Sequence, residues 1–166
     1  MKIILIGFMG SGKTSVGKYL SEILNLEFFD MDFEIEKKES KSISNIFKGF
    51  GEDYFRKIES EMLKNLIRKE KCIISSGGGI VLNNLDILKM ESNVIFLDAD
   101  VNTIKLNLEK DICKRPLIKK ENLNEKNIKE ILSNRYQKYI DCSDYIIDVN
   151  NKSIETISRE IIKNVL

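Results

Sequence analysis

The segment Gly7-Phe8-Met9-Gly10-Ser11-Gly12-Lys13-Thr14 constrains this chain more than any other, because it fits GxxxxGK[ST] between a strand pattern and a helix pattern. Ile3 to Ile6 ahead of it is an unbroken apolar run, as in a strand buried on both faces. Behind it, Val16, Tyr19, Leu20, Ile23 and Leu24 recur at helical spacing. Glycines let backbone N–H groups wrap phosphates, and the helix N-terminus adds a favourable partial charge. In such a loop Gly10, Ser11, Gly12, Lys13, Thr14 and Ser15 bind the phosphates of a nucleoside triphosphate. Lys13 reaches the β- and γ-phosphates, and the Thr14 hydroxyl meets Mg²⁺. An Asn-Lys-x-Asp guanine-reading motif would accompany a GTPase; the nearest match, Asn151-Lys152-Ser153-Ile154, lacks the Asp.

Further strands are expected at Glu27 to Asp30, Cys72 to Ser75, Val94 to Leu97 and Tyr145 to Val149. Two amphipathic helical stretches follow the second strand, one carrying Ile43, Ile46, Phe47 and Phe50, the other Phe55, Ile58, Met62, Leu66 and Ile67. Helices are also expected over Asn83–Met90, Val101–Lys110, Glu125–Ile140 and Ser153–Val165. Strands alternating with helices imply an α/β fold with a mostly parallel sheet. At 166 residues, without repeat or linker, one domain over 1–166 is expected. The polar, aperiodic stretch Asp111 to Asn124 reads as a mobile loop.

Composition narrows the chemistry. With no His, a His-based triad, a His general base and a His-ligated metal are excluded. The three cysteines form no CxxC pair, which suits a reduced cytoplasmic protein with free thiols. A formal charge of +1 argues against a nucleic-acid or membrane-surface protein. No apolar run approaches a membrane span, and no surplus apolar stripe suggests an interface, so a cytoplasmic monomer is expected. Arginine is scarce, with 5 against 22 lysines, so its positions carry information.

Asp30 and Asp32 are expected to close the second strand two residues apart, with both carboxylates on one face; solvated turn acids are the alternative. Arg56 and Glu59, one helical turn apart, read by themselves as a surface ion pair. Arg135 interrupts the apolar stripe of Ile128, Ile131, Leu132 and Tyr139, so it either faces an anion or snorkels to solvent. Gly77-Gly78-Gly79 ends a buried strand where ligands bind in parallel sheets, and bare backbone admits a small ligand. Arg115, pushed to an extended conformation by Pro116, either closes over phosphates or faces water. Asp98, ending the fourth strand, is either a metal-side carboxylate or an ordinary strand end.

Taken together and in order, the phosphate loop, Asp30-Met31-Asp32, Phe55-Arg56-x-x-Glu59, the triple glycine, Arg115-Pro116-Leu117 and Arg135 resemble the shikimate kinase family, over about Lys2 to Tyr139. The resemblance implies a three-layer P-loop kinase fold, with a five-stranded parallel sheet, substrate-binding helices in 32–68 and a mobile lid at 111–124. It implies transfer of the γ-phosphate of ATP to the 3-hydroxyl of shikimate, in aromatic amino-acid biosynthesis. By it, Asp32 contacts the accepting hydroxyl, while Arg56 and Arg135 grip the shikimate carboxylate. Gly78 and Gly79 line that site, Thr14 and Asp30 hold Mg²⁺, and Lys13 and Arg115 neutralise the transferring phosphoryl group. The residue chemistry agrees: two guanidinium forks suit a small carboxylate, and Phe47 and Phe55 can pack against its ring. One departure stands out. Leu108 to Lys114 holds no arginine, whereas the family often sets one against adenine there. The alternatives are another small-molecule kinase, of gluconate or nucleotide type, and a regulatory nucleotide-binding protein.

Overall fold

In a computed structural model of the chain, Ile3 and Leu5 of strand β1 (Lys2–Ile6) bury into one apolar cluster, while Ile4 and Ile6 bury into another. Alternate residues of a strand point to opposite faces, so an unbroken apolar strand must be covered on both. The structure describes residues 1–91, 93–114 and 124–166, with side chains excepted for 111–114. Strands β2 (Glu27–Asp30), β3 (Cys72–Ser75), β4 (Val94–Asp98) and β5 (Tyr145–Asp148) complete a sheet of order β2-β3-β1-β4-β5. Every pairing is parallel, with Ile4 in register with Ile74 on one side and Val94 on the other.

Helices α1 (Lys13–Leu24), α5 (Val101–Lys114) and α7 (Ile154–Val165) cover the face of Ile3 and Leu5. Helices α2 (Met31–Glu39), α3 (Ile43–Leu66) and α4 (Leu85–Lys89) cover the other. Helix α6 (Glu125–Asp141) joins both clusters, through Ile128 on one side and Tyr139 on the other. The result is the three-layer α/β architecture expected from the sequence. The chain leaves β1 toward one face and β3 toward the other, which opens a crevice at the C-terminal ends of these two adjacent strands.

Three local expectations need correction. Helix α2 was not legible, since only Met31 and Ile35 of its nine residues are buried and the apolar stripe is too thin to read. Its presence moves Asp32 out of β2 and into a first helical turn, so the shared-strand-face argument for Asp30 and Asp32 fails. Asp30 instead caps α2, its Oδ1 accepting from the Asp32 and Phe33 N–H groups. The two helical stretches expected after it are both present: they meet within α3 at Gly51, whose φ 83° and ψ 175° are not helical and suit glycine. Helix α5 continues to Lys114, so the segment expected to be loop from Asp111 begins as helix; 115–123 lie outside the described residues. Finally, a 3₁₀ turn at Ile80–Leu82 precedes α4, which starts at Leu85 and not at Asn83.

Candidate active site

The loop after β1 turns back on itself at three glycines of positive φ, Gly7 (144°), Gly10 (80°) and Gly12 (90°). A Cβ on Gly7 would lie 2.7 Å from the Leu97 carbonyl oxygen, so the loop needs glycine there for close approach as well as for its turn. Lys13 folds over the loop and donates to Gly7 O and Phe8 O, both at 2.8 Å. Burial pulls its ammonium down to a pKa of about 8, against the stabilising charges of Asp32 and Asp30. From α5, Asn107 Nδ2 donates to Gly10 O at 2.7 Å and pins the far side of the loop.

Beside Lys13, Thr14 Oγ1 donates to Asp30 Oδ2 at 2.6 Å, the same carboxylate that caps α2 through its other oxygen. A hydroxyl and a carboxylate oxygen this close are a donor set suited to a small hard cation that keeps several waters. Asp32 hangs into the open cleft and still touches solvent. Partial enclosure, then the charges of Asp30, Glu59 and Glu36, push its pKa up to about 6, against the pull of Lys13. The cleft has a volume of about 1160 Å³ and is lined by Gly10, Gly12, Lys13, Thr14, Ser15, Asp30, Asp32 and Gly78 among others.

The loop after β3 forms the opposite wall. Ser76 ties it to β1, its N–H and hydroxyl both donating to Leu5 O. Each of the three glycines beyond has its own steric reason. A Cβ on Gly77 would lie 2.7 Å from Glu59 Oε1 and 3.0 Å from Asp32 Oδ1. One on Gly78 would lie 2.9 Å from Met9 N, and one on Gly79 would overlap the Arg56 guanidinium. Among the described residues, neither Gly78 N–H nor Gly79 N–H has a hydrogen-bond acceptor.

Arg56 and Glu59 are more than a surface pair. Glu59 is 1% exposed, and its Oε2 accepts from Arg56 Nη1 at 2.7 Å, while Glu52 Oε1 accepts from Nε and Nη2. Burial raises the Glu59 pKa, opposed by its hydrogen bond to Arg56 and by the charges of Arg56 and Arg135. Arg135 does not snorkel away: its Nη1 donates to Gly78 O at 3.0 Å. Tyr139, one turn on, donates its hydroxyl to the same carbonyl oxygen.

The structure thus brings Asp32, Arg56, Arg135, Gly78 and Gly79 around one turn, opposite Lys13, Thr14 and Asp30. Phe55 belongs to the core, with Phe47 packed on it at 4.7 Å between ring centroids, and neither ring lines the cleft. Arg115 lies outside the described residues. Asp98 is taken by the Tyr136 hydroxyl at 2.9 Å and does not line the cleft. Sequence reasoning missed Asn107 and Tyr139 as members of the site. Only the position of Tyr139, one turn beyond Arg135 on the same face, could have signalled it.

A phosphate loop on the first strand of a parallel sheet, sharing one cleft with Asp32 and the Gly78 turn, defines a P-loop kinase, an ATP-dependent phosphotransferase. Residues 9–166 match the family model for shikimate kinase. The shikimate kinase of Alkaliphilus oremlandii is 42% identical over 165 residues, covering 98% of both chains. That of Dictyoglomus turgidum is 43% identical over 163 residues, covering 95% of this chain and 93% of the other. The solved shikimate kinase from Acinetobacter baumannii, in complex with shikimate, superposes with a TM-score of 0.90 at 32% identity, covering 99% of this chain and 92% of that one. The chain belongs to the shikimate kinase family.

Proposed function

We propose that this chain transfers the γ-phosphate of ATP to the 3-hydroxyl of shikimate, releasing ADP and shikimate 3-phosphate, and that its two glycine loops divide the work. The observation that carries this reading is the placement of Asp32: it shares the cleft with Lys13 and lies against Gly77, the turn that gathers Arg56 and Arg135. The chain acts as one domain on two small molecules, as a monomer in the cytoplasm, with no role for nucleic acid or membrane. No described helix is long and apolar enough to cross a membrane.

On the nucleotide side, Gly10, Ser11, Gly12, Thr14 and Ser15 cradle the phosphates with backbone N–H groups. Lys13 exchanges its two loop carbonyls for phosphate oxygens of the transferring group. Mg²⁺ fits the Thr14–Asp30 pair, and when bound it would neutralise charge on the β- and γ-phosphates. On the acceptor side, Arg56 and Arg135 hold the carboxylate, and the N–H groups of Gly78 and Gly79, which have no acceptor among the described residues, meet hydroxyls. Asp32, ionised above pH about 6, accepts a hydrogen bond from the 3-hydroxyl and takes its proton as the new O–P bond forms. The bond between the γ-phosphorus and the β–γ bridging oxygen breaks, and ADP leaves with that electron pair. Arg115, by the resemblance of its Arg-Pro-Leu motif, closes over the phosphates and helps exclude water.

The test is coupled ADP release from Mg²⁺-ATP with shikimate, with gluconate and nucleoside monophosphates as controls. Shikimate should stimulate release by orders of magnitude over basal hydrolysis. Equal stimulation by gluconate or a nucleoside monophosphate, or none by shikimate, would overturn the assignment.

A further inference from the structure

Gly78 O, at the centre of the acceptor wall, receives two hydrogen bonds from α6: Arg135 Nη1 at 3.0 Å and the Tyr139 hydroxyl. Tyr139 is fully buried and stacks on Phe96 of β4, with centroids 4.9 Å apart and planes 19° apart. That packing on a central strand fixes where the hydroxyl points. The Gly78–Gly79 peptide is trans, so Gly79 N–H points opposite to Gly78 C=O. Whatever holds the carbonyl toward α6 therefore aims Gly79 N–H away from α6, and that N–H has no acceptor among the described residues. The burden on the two donors is unequal. Arg135 is one of the two arginines available to a substrate carboxylate, and a bidentate grip re-aims its guanidinium. Tyr139 donates only to Gly78 O; burial raises its pKa to about 12, against the charge and hydrogen bond of the neighbouring Arg135, so it stays protonated and able to donate.

We infer that Tyr139 is a positioning residue for the acceptor substrate: its hydroxyl fixes the Gly78–Gly79 peptide and keeps Gly78 O paired when Arg135 turns to the substrate carboxylate. The inference rests on the acceptor site proposed above. It separates two roles that α6 carries one turn apart, with Arg135 touching substrate and Tyr139 acting through the peptide and through Arg135. The energetic consequence is specific. In Tyr139→Phe without substrate, Arg135 still satisfies Gly78 O, so the free protein loses little. When substrate engages Arg135, the carbonyl is left partly buried and unpaired, so the loss falls on the bound state. Either Arg135 stays on the carbonyl and grips substrate poorly, or it grips and orphans the carbonyl.

The experiment compares wild type and Tyr139→Phe in the coupled ADP-release assay, varying shikimate and ATP separately, with thermal melting of the ligand-free proteins. The expected result is a rise of about five- to tenfold in shikimate KM for Tyr139→Phe, with ATP KM unchanged and Tm within a few degrees of wild type. Lower Tm with unchanged shikimate KM would make Tyr139 a packing residue and overturn the inference. A parallel rise in both KM values would do the same, because it would mean general loosening of the cleft. Wild type lacking shikimate-dependent turnover would instead overturn the acceptor-site reading beneath it. Phe96→Leu is a second variant that keeps the hydroxyl but removes its stacking partner. It should raise shikimate KM in the same direction, by less, and an unchanged value would refute the claim that stacking on β4 aims the hydroxyl.

Discussion

Replacing Arg56 by methionine isolates what the buried carboxylate of Glu59 requires. The substitution keeps an apolar chain of similar reach and deletes the donor 2.7 Å from Glu59 Oε2. Glu59 is 1% exposed and its Oε1 has no partner among the described residues, so the variant retains a buried charge with no compensating hydrogen bond. Breaking a buried pair from one side costs about 3–5 kcal/mol, whereas the exposed half of the network, Arg56 with Glu52, contributes under about 1 kcal/mol. A ceiling comes from protonation. Starting from the ordinary carboxyl pKa of 4.5, neutralising Glu59 at pH 7.5 costs about 4 kcal/mol, and at pH 5.5 about 1.4 kcal/mol. Expected destabilisation is therefore about 3–4 kcal/mol at pH 7.5, shrinking to about 1 kcal/mol at pH 5.5. The sign follows from linkage. With a folded pKa raised above the unfolded one, the folded state binds the proton more tightly, so stability falls as pH rises through the folded value. Urea unfolding of the ligand-free proteins, followed by far-ultraviolet circular dichroism at the two pH values, measures both numbers. A deficit below about 1 kcal/mol at pH 7.5, or one equal at both pH values, would refute the claim that Glu59 depends on Arg56.

Two further expectations test the walls of the cleft. Gly77→Ala sets a methyl 2.7 Å from Glu59 Oε1 and 3.0 Å from Asp32 Oδ1; we expect about 1–3 kcal/mol of destabilisation and a raised shikimate KM, and a variant with wild-type melting and kinetics would show that the two carboxylates yield freely. Because the Asp32 pKa is pushed from 3.8 up to about 6, shikimate-dependent turnover should climb as pH rises through 6, and ligand-free stability should fall between those two values and level off above them. Asp32→Asn should remove both trends and most of the turnover, while a pH–rate profile unchanged in that variant would exclude Asp32 as the proton acceptor.

Much of the site was legible because its chemistry is written in residues that have few other uses. Gly7 to Thr14 announces a phosphate loop wherever it follows a strand and opens a helix, since the backbone path and the lysine are local properties. The apolar strands announced their double burial for a similarly local reason. Asp30 and Asp32 show where such reasoning stops. Period-2 alternation placed them together for the wrong cause: the strand ends at Asp30, and α2, whose thin apolar stripe hides it, turns Asp32 into the cleft.

What the sequence determined by itself is the set of reacting groups: a phosphate loop, two carboxylates, two arginines and a glycine turn, in a chain with no histidine. What only the tertiary structure decided is their partnership. Arg56 and Glu59 look the same in sequence whether solvated or buried, and their pairing matters only because α3 carries Glu59 beneath the Gly77 turn, out of reach of water. Tyr139 reads as one more member of an apolar stripe until the sheet order places β4 and the loop after β3 on either side of its ring and hydroxyl. Hydrogen bonds spanning more than fifty residues, such as Arg135 to Gly78, leave no local pattern, because their partners are chosen by packing and not by spacing along the chain.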